Sequence, residues 1–180
     1  ILQAFAEVKP SLVIAVPLII EKIIKKNVLP KLETPTMKFL LKVPLVSDKI
    51  KATVREQVMN AFGGNFYEVI VGGAAFNQEV EAFLRSINFP YTVGYGMTEC
   101  APLISYAPWT ESKEGASGQI LDTMQVRIDS DDPYSIAGEI QVRGENVMSG
   151  YYKNVEATKD SFTEDGWLKT GDVGIVDEEG

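Results

Sequence analysis

The 180-residue sequence contains no histidine and only one cysteine, Cys100. The absence of histidine excludes Ser-His and Cys-His catalysis, and histidine-ligated metal sites, within this polypeptide. A single cysteine excludes an internal disulfide and any zinc site built from several cysteines. It also favours a reducing compartment, so we expect a cytoplasmic protein. Any chemistry must therefore come from carboxylates, hydroxyls, backbone dipoles or a bound ion.

Long apolar runs are missing as well. The longest, Leu12 to Ile20, has nine residues and is interrupted by Pro17, whereas a membrane-spanning helix needs about 20. The chain opens on Ile1 and closes on 173-VGIVDEEG-180, which is predicted to be a strand and a turn without a returning partner. Half of a hairpin is marginal by itself, so we expect this sequence to be an internal piece of a longer protein.

Positive charge is scarce in the later part of the chain. Residues 1–60 hold 10 Lys/Arg against 5 Asp/Glu, whereas residues 61–180 hold 7 against 20. The acidic part argues against a general nucleic-acid binder. The basic part has two interpretations, either solvated helix faces, which are the commoner case, or a surface for peripheral contact with a membrane or partner.

Strands and helices are predicted to alternate in the first part of the chain. The β-branched run 12-LVIAV-16 is typical of a strand buried on both faces. Pro17 suits the first turn of a following helix. The proline-rich stretch 27–44 is predicted to be a connector with one short helix at most. Ser47 is then predicted to cap an amphipathic helix that Gly63-Gly64 ends.

The alternation continues with a strand at 66-FYEVIV-71, a helix capped by Asn77 and a strand from Tyr91 to Val93. Alternating strands and helices predict a parallel sheet layered with helices.

After Pro102 the pattern changes. Apolar residues alternate with polar ones, and turn-rich segments separate these stretches, which predicts a small antiparallel sheet or distorted barrel. The predicted fold class is therefore α/β, with a partial parallel sheet followed by a small antiparallel β part. We assign residues 1–110 to the first subdomain and residues 111–180 to the second, barrel-like one.

Two predicted strands end in glycine-marked stretches, 72-GGAAFN-77 and 94-GYGMTE-99. Ligands collect at the carboxyl ends of strands in doubly wound sheets, and glycine lets a ligand approach the backbone. Neither stretch is a GxGxxG or GxxxxGK[ST] motif. On these features alone, tight turns without a ligand explain both stretches equally well.

The side chains of the second stretch favour a ligand. Tyr95 stands between Gly94 and Gly96, where its ring can meet a flat heterocycle. Thr98 offers a hydroxyl to a phosphate, and Glu99 offers a carboxylate to Mg²⁺.

Four stretches, in order, resemble motifs of the acyl-adenylate-forming (AMP-binding) enzyme superfamily, which includes acyl-CoA synthetases, peptide-synthetase adenylation domains and luciferases. The stretches are 72-GGAAFNQEV-80, 94-GYGMTE-99, 138-GEIQVRGENVMSGYYKN-154 and 165-DGWLKTGDVG-174. Two further stretches, 9-KPSLVIAVPLIIEKI-23 and 62-FGG-64, are similar to elements of long-chain fatty acid–CoA ligases. The chain thus resembles an internal part of the large N-terminal domain of such an enzyme.

The resemblance implies a role for each matched position. It implies nucleotide binding by Gly73, Ala74, Gly94, Tyr95, Gly96, Met97, Thr98 and Asp172. Within that set, Tyr95 would stack on adenine and Asp172 would bind the ribose hydroxyls. Thr98 and Glu99 would be the catalytic pair, with Thr98 at the phosphate and Glu99 as the Mg²⁺ ligand. The Gly150–Tyr152 segment and Trp167 are interpreted as structural.

The implied parent enzyme uses ATP, Mg²⁺ and coenzyme A to convert a long-chain fatty acid to its acyl-CoA by way of acyl-AMP. The 180 residues contain neither the family's Ser/Thr/Gly-rich phosphate loop nor its catalytic lysine, so we expect this piece alone to be inactive. Two alternatives stay open: an adenylating enzyme for an aryl or amino acid, and a degenerate nucleotide-binding module. Val93 stands where many members of the family have glutamine. Phe76-Asn77 replaces the family's usual Pro-Leu, so the acyl-pocket wall is expected to differ.

Overall fold

The computed structural model describes residues 2–179, which form two compact units. The first unit contains residues 2–93 and 107–116, and the second contains residues 94–106 and 117–179. The first carries a parallel sheet with helices, and the second carries antiparallel sheets. The predicted α/β class is therefore confirmed, whereas the assignment of a subdomain boundary at residue 110 stays a prediction.

The first unit is built on three parallel strands in the order β1-β2-β3. The strands are β1 (Leu12–Ala15), β2 (Glu68–Val71) and β3 (Tyr91–Val93). The helices of this unit are α1 (Leu2–Val8), α2 (Pro17–Asn27), α3 (Leu29–Leu32), α4 (Pro35–Leu40), α5 (Pro44–Ala61) and α6 (Gln78–Ser86). Because the strands are parallel, their carboxyl ends lie at one edge of the sheet.

Helices pack on this sheet through side chains at helical spacing. Ile20 and Ile24 of α2 and Val80 and Leu84 of α6 are fully buried, together with Val69 of β2. Each such side chain contributes roughly 1.5–3 kcal/mol when it leaves water. The cap predicted at Asn77 is confirmed, since its side chain accepts a hydrogen bond from the Val80 amide at 3.2 Å.

Two expectations about helices are wrong. Ser47 does not cap α5, because the helix begins at Pro44 and Ser47 lies buried within its first turns. Proline is favoured in a first helical turn, where its missing N–H has no partner to lose. The same preference at Pro30 and Pro35 divides the predicted connector into two short helices, α3 and α4, instead of one at most.

The strand predictions need three corrections. Burial on both faces is wrong for β1, since Val13 is buried whereas Ile14 is 76% exposed. The strand predicted from Phe66 begins at Glu68. The strand predicted at 173-VGIVDEEG-180 ends at Gly174, because the pairing with the neighbouring strand stops there; Gly180 lies outside the described residues.

The segment 107–116 returns to the first unit and is held there by two buried carboxylates. Glu68 accepts a hydrogen bond from the Trp109 amide at 2.6 Å, and Glu81 accepts one from the Gly115 amide at 3.1 Å. Because both glutamates are nearly fully buried, these bonds also give their charges partners away from water.

The second unit contains two antiparallel three-stranded sheets, ordered β4-β5-β6 and β7-β8-β9. Their strands are β4 (Tyr95–Gly96), β5 (Leu103–Tyr106), β6 (Gln119–Ile120), β7 (Met124–Asp129), β8 (Gly138–Gly144) and β9 (Leu168–Gly174). A 3-10 helix covers Thr98–Cys100, and α7 covers Val155–Ser161. The predicted small antiparallel sheet is confirmed, and within residues 2–179 neither sheet closes into a barrel.

The core of the second unit is a small apolar cluster. Its buried members are Cys100, Ile104, Met124, Val142 and Leu168. Across the described residues of both units, no helix is long and apolar enough to cross a lipid bilayer. Peripheral contact with a membrane through the basic N-terminal part stays a prediction.

Candidate functional site

In the first unit, the predicted adenine-pocket positions Gly73 and Ala74 lie just beyond the carboxyl end of β2 and are exposed. Gly73 has a φ of +86°, and a Cβ added there would meet only the Val16 side chain at 3.9 Å. The backbone conformation, and not lack of space, therefore requires glycine at this position. An open backbone at a sheet's carboxyl edge is where a ligand can approach closely.

In the second unit, Gly96 has a different reason to be glycine. A Cβ at this position would lie 1.9 Å from the Pro102 carbonyl oxygen. The strand β4 therefore packs its backbone directly against the segment that leads into β5, with an irregular register between Tyr95 and Gly96. Gly96 is therefore required by the close packing of the chain on itself.

Tyr95 and Asp172 are joined by a hydrogen bond. The tyrosine hydroxyl donates to Oδ2 of Asp172 at 2.7 Å, although 77 residues separate the two in the chain. Burial raises the pKa of Tyr95 to about 12, and the hydrogen bond and charge of Asp172 raise it further against the opposing effect of the Thr170 hydroxyl. The phenol is therefore a neutral donor at physiological pH, and its half-buried ring is fixed beside a carboxylate.

Asp172 is positioned by the local backbone of β9. It follows Gly171, whose φ of +76° turns the strand, and its amide donates to the Thr170 hydroxyl at 3.1 Å. That hydroxyl in turn donates to the Ile140 carbonyl on β8. The Asp172 side chain is exposed, and within residues 2–179 no donor reaches its Oδ1. One carboxylate oxygen is therefore available to accept hydrogen bonds from a ligand.

Thr98 and Glu99 lie in the 3-10 helix that follows β4. Thr98 is exposed, and Glu99 is half-buried. The Tyr151 hydroxyl donates to Oε1 of Glu99 at 2.8 Å, which raises the pKa of Tyr151, with burial as a smaller cause. The Glu99 carbonyl also accepts a hydrogen bond from the Met148 amide at 2.7 Å.

Tyr151 contacts the candidate residue Glu99 but is not among the candidates predicted from the sequence. The Gly150–Tyr152 segment is interpreted from the sequence as structural, and its Tyr151 amide does donate to the Thr158 hydroxyl at 2.8 Å. The nearby Asn146 side-chain amide donates to the carbonyls of Cys100 and Leu103. These bonds tie the loop before α7 to the segment that carries Glu99. The available signal was a tyrosine hydroxyl within a stretch that resembles a family motif.

Trp167 has the packing role expected of it. The guanidinium carbons of Arg127 and Arg143 lie over its ring, 4.7 and 4.6 Å from the ring centroid. Arg127 also forms a two-pronged ion pair with Asp165, and the pKa of Asp165 is lowered by that hydrogen-bonded pairing. The indole is thus engaged by charged side chains of the protein itself.

The donor set limits which metal ion fits. No cluster of three or more His, Cys, Asp or Glu in the described part of the chain is arranged to hold a cation. Glu99 keeps one oxygen, Oε2, to which no described donor is bonded. Mg²⁺ commonly binds through one or two carboxylates and takes its other ligands from water and phosphate oxygens. Glu99 therefore fits a substrate-bound Mg²⁺ and does not fit a dedicated protein cage.

Residues 1–152 match the family model described as "AMP-binding enzyme". The chain is 39% identical over 133 residues to luciferin 4-monooxygenase from Nipponoluciola cruciata, which covers 69% of this chain and 24% of that protein. It is 36% identical over 127 residues to the long-chain-fatty-acid–CoA ligase FadD15 of Mycobacterium bovis, and this match covers 71% of this chain and 20% of that protein. It is 34% identical over 150 residues to 4-coumarate-CoA ligase 1 of Narcissus pseudonarcissus, and this match covers 76% of this chain and 27% of that protein.

Among solved structures, the chain resembles o-succinylbenzoate CoA synthetase from Bacillus subtilis, bound to a product analogue, with a TM-score of 0.71. The two are 24% identical, and the match covers 99% of this chain and 31% of that one. At this identity the likeness concerns the fold. The chain spans between 20% and 27% of the length of the three curated relatives named above.

Proposed function

Because this chain belongs to the family of AMP-binding enzymes, we propose that its parent protein is an acid–thiol ligase. In the first half-reaction, a carboxylate oxygen attacks the α-phosphorus of ATP, and pyrophosphate leaves to give acyl-AMP. In the second, the thiol of coenzyme A attacks the acyl carbon, loses its proton and displaces AMP. ATP, Mg²⁺ and coenzyme A are accordingly the proposed small-molecule partners.

The hydrogen bond between Tyr95 and Asp172 is the observation that carries this proposal. It uses the tyrosine hydroxyl and leaves the ring for stacking on a flat base. It also leaves Oδ1 of an exposed carboxylate to accept from vicinal hydroxyls, as in a ribose. An aromatic ring fixed beside such an acceptor matches the two halves of a nucleoside.

Thr98 and Glu99 support the phosphate end of the proposal. Thr98 presents an exposed hydroxyl one residue before a carboxylate that has one oxygen without a described donor. Glu99 would hold Mg²⁺, and the ion would supply charge stabilisation for pyrophosphate as it leaves. Tyr151 keeps the Glu99 carboxylate in one orientation, so the chain's own contribution here is positioning.

For the acid, we propose a long-chain fatty acid. The 36% identity to FadD15, and the stretches 9–23 and 62–64, support this choice. Similar identities to luciferin 4-monooxygenase and to 4-coumarate-CoA ligase favour an aryl acid as the second candidate. Phe76 belongs to the pair that departs from the family's usual Pro-Leu. Its ring packs edge-on against the ring of Tyr91, with the two centroids 5.9 Å apart, so the core holds it in place.

A radioactive pyrophosphate-exchange assay on the parent protein tests both the proposed adenylation and the proposed choice of acid. We expect exchange with palmitate and none with 4-coumarate, 2-succinylbenzoate or amino acids. Exchange with aryl or amino acids alone would overturn the fatty-acid assignment and leave an adenylating enzyme for another acid. AMP binding without exchange for any acid would indicate a degenerate nucleotide-binding module. Glu99→Gln should lower exchange steeply, and the matched exposed change Glu164→Gln should not.

A further inference from the structure

The first unit contains a cavity of about 580 Å³ between its helices. One wall is α5, from Val46 to Ala61, and the other is the second half of α2 with α3, α4 and Leu2. This volume falls within the range of roughly 300–1,000 Å³ that is usual for small-molecule sites. We name this space the helical cavity.

The helical cavity lies away from the candidate nucleotide site in the same unit. Helix α2 begins at Pro17, just past the carboxyl end of β1, and contributes Ile23 and Asn27 to the cavity. At 1.5 Å per residue, these two lie about 9–15 Å further along the helix axis. Gly73 and Ala74, by contrast, follow the carboxyl end of β2. The cavity is therefore a second place where a ligand can bind.

The walls of the cavity are aliphatic. Buried Ile23 and Val58 and half-buried Ile50 and Val54 contribute to them, and no aromatic residue is among the described lining side chains. A flat heterocycle would find no ring to stack on, whereas a flexible alkyl chain would bury its methylenes against branched side chains. Each buried methylene increases affinity by about fourfold.

The exposed rim is positively charged. Lys31 and Lys49 line the cavity and are exposed, and no Asp or Glu is among its described lining residues. Neither lysine forms an ion pair within the part of the chain that the structure describes. The other exposed polar side chains of the rim, such as Thr53 and Gln57, are neutral. An apolar interior below an uncompensated positive rim is complementary to an aliphatic tail with an anionic head group.

We propose that the helical cavity binds a single fatty-acid anion, with its alkyl chain against Ile23, Val54 and Val58 and its carboxylate held by Lys31 and Lys49. The site does not depend on the proposed ligase reaction, since it uses none of the residues assigned to the nucleotide, phosphate or metal. It assigns a role to part of the basic N-terminal region that differs from general contact with a membrane surface.

The test is displacement of cis-parinaric acid, which fluoresces in apolar sites, from the purified 180-residue chain without ATP or coenzyme A. We expect affinity to rise from laurate to palmitate, and hexadecanol to compete at least tenfold more weakly than palmitate. Lys31→Gln with Lys49→Gln should weaken palmitate about tenfold or more and leave hexadecanol unchanged. The matched pair Lys38→Gln with Lys42→Gln, exposed and outside the cavity, should change neither.

Ile50→Trp provides a second variant, because its larger side chain occupies the cavity without removing charge; circular dichroism checks that it folds. Retention of palmitate binding by this variant would overturn the proposal, as would equal losses in the two lysine pairs. Binding to phosphatidylglycerol vesicles without binding of monomeric palmitate would overturn it in favour of a membrane surface. Binding by the 180-residue chain but not by the parent would mean that a parent segment fills the cavity, which also overturns it.

The outcomes separate this inference from the proposed function. Palmitate binding in a parent that exchanges no pyrophosphate would count against the ligase alone. Pyrophosphate exchange in a parent that binds no palmitate at the helical cavity, as reported by the lysine pairs, would count against the cavity alone.

Discussion

The hydroxyl of Tyr151 donates a hydrogen bond of 2.8 Å to the carboxylate of Glu99, 52 residues earlier in the chain. The Glu99 backbone is held from the same loop, by the Met148 amide. A carboxylate fixed at both its backbone and one oxygen presents its other oxygen in one direction. Residues that orient a metal ligand in this way commonly change metal affinity when they are replaced.

We therefore expect Tyr151→Phe in the parent to raise the Mg²⁺ concentration for half-maximal adenylation by about 3–10-fold, which corresponds to a net hydrogen bond of ~1 kcal/mol. At saturating Mg²⁺ most of the rate should return. Tyr152→Phe is the matched control, because Tyr152 is 88% exposed. An unchanged Mg²⁺ dependence in Tyr151→Phe would remove Tyr151 from the site.

Replacement of Tyr95 separates its ring from its hydroxyl. If only the ring mattered, Tyr95→Phe would leave nucleotide affinity nearly unchanged. Because the hydroxyl also holds Asp172, we expect Tyr95→Phe to lose about 0.5–1.5 kcal/mol of binding free energy. Tyr95→Ala should lose about 1–2 kcal/mol more, since it also removes stacking. Calorimetric titration of ATP into the parent variants measures both. Equal losses for Phe and Ala would contradict the stacking role.

Glu99→Gln should affect the two half-reactions differently. Adenylation in the parent should fall steeply, because only that step expels pyrophosphate and needs the charge of Mg²⁺. Thioester formation from pre-made acyl-AMP should be nearly normal, and excess Mg²⁺ should restore part of the first step. Single-turnover assays of each half-reaction give the comparison. A parallel fall in both would indicate a structural role for Glu99.

Cys100 makes stability depend on alkaline pH. Burial, and next the charge of Glu99, raise its pKa from 9.0 to about 11. The folded state therefore holds the thiol proton more tightly than the unfolded state. The contribution of the protonated thiol to the free energy of unfolding is complete below pH 9 and is lost as the pH rises toward 11. At pH 10 the loss should be about 1 kcal/mol.

Urea unfolding followed by circular dichroism at pH 8 and pH 10 measures this dependence. Cys100→Ala should be less stable than the original at both values, because it leaves a small cavity. Its free energy of unfolding should nevertheless fall less between them. The same decrease in both proteins would assign the alkaline effect to other groups, such as the buried Tyr91, whose pKa is also raised by burial.

The purified 180-residue chain should form no acyl-AMP. It contains the proposed base, ribose and metal-binding residues but no Ser/Thr/Gly-rich phosphate loop. Loss of one preorganised charge-stabilising donor typically costs ~3–4 kcal/mol, and several are missing. A sensitive radiometric assay for acyl-AMP is the measurement. Turnover that survives repurification and disappears in Glu99→Gln would contradict this expectation.

Local patterns were sufficient to predict most elements. The β-branched run at 12–16 and the Asn77 cap depend on neighbours within a few residues, so the sequence shows them directly. The start of α5 was wrong because two local signals compete, and Pro44 in the first turn outweighs the serine three residues later. The exposure of Ile14 could not be predicted, since it depends on what covers the sheet.

In the candidate site too, single residues could be predicted from the sequence, whereas contacts between distant residues could not. Resemblance to family motifs identified Tyr95, Glu99 and Asp172 as candidates, but it gave no contact among them. The bonds from Tyr95 to Asp172 and from Tyr151 to Glu99 span 77 and 52 residues. Such long-range pairs carry no periodic signal, because they arise only when the strands and loops have packed.

The position of the two tryptophans gives each unit its own optical signal. Trp109 lies in the segment that returns to the first unit, and Trp167 lies in the second. The guanidinium groups of Arg127 and Arg143 lie over the indole of Trp167, and no such contact is described for Trp109. Trp109→Phe and Trp167→Phe would each leave a single emitter, so the fluorescence of one variant follows the unfolding of one unit. Coincident transitions would mean that the two units unfold cooperatively, as one thermodynamic entity.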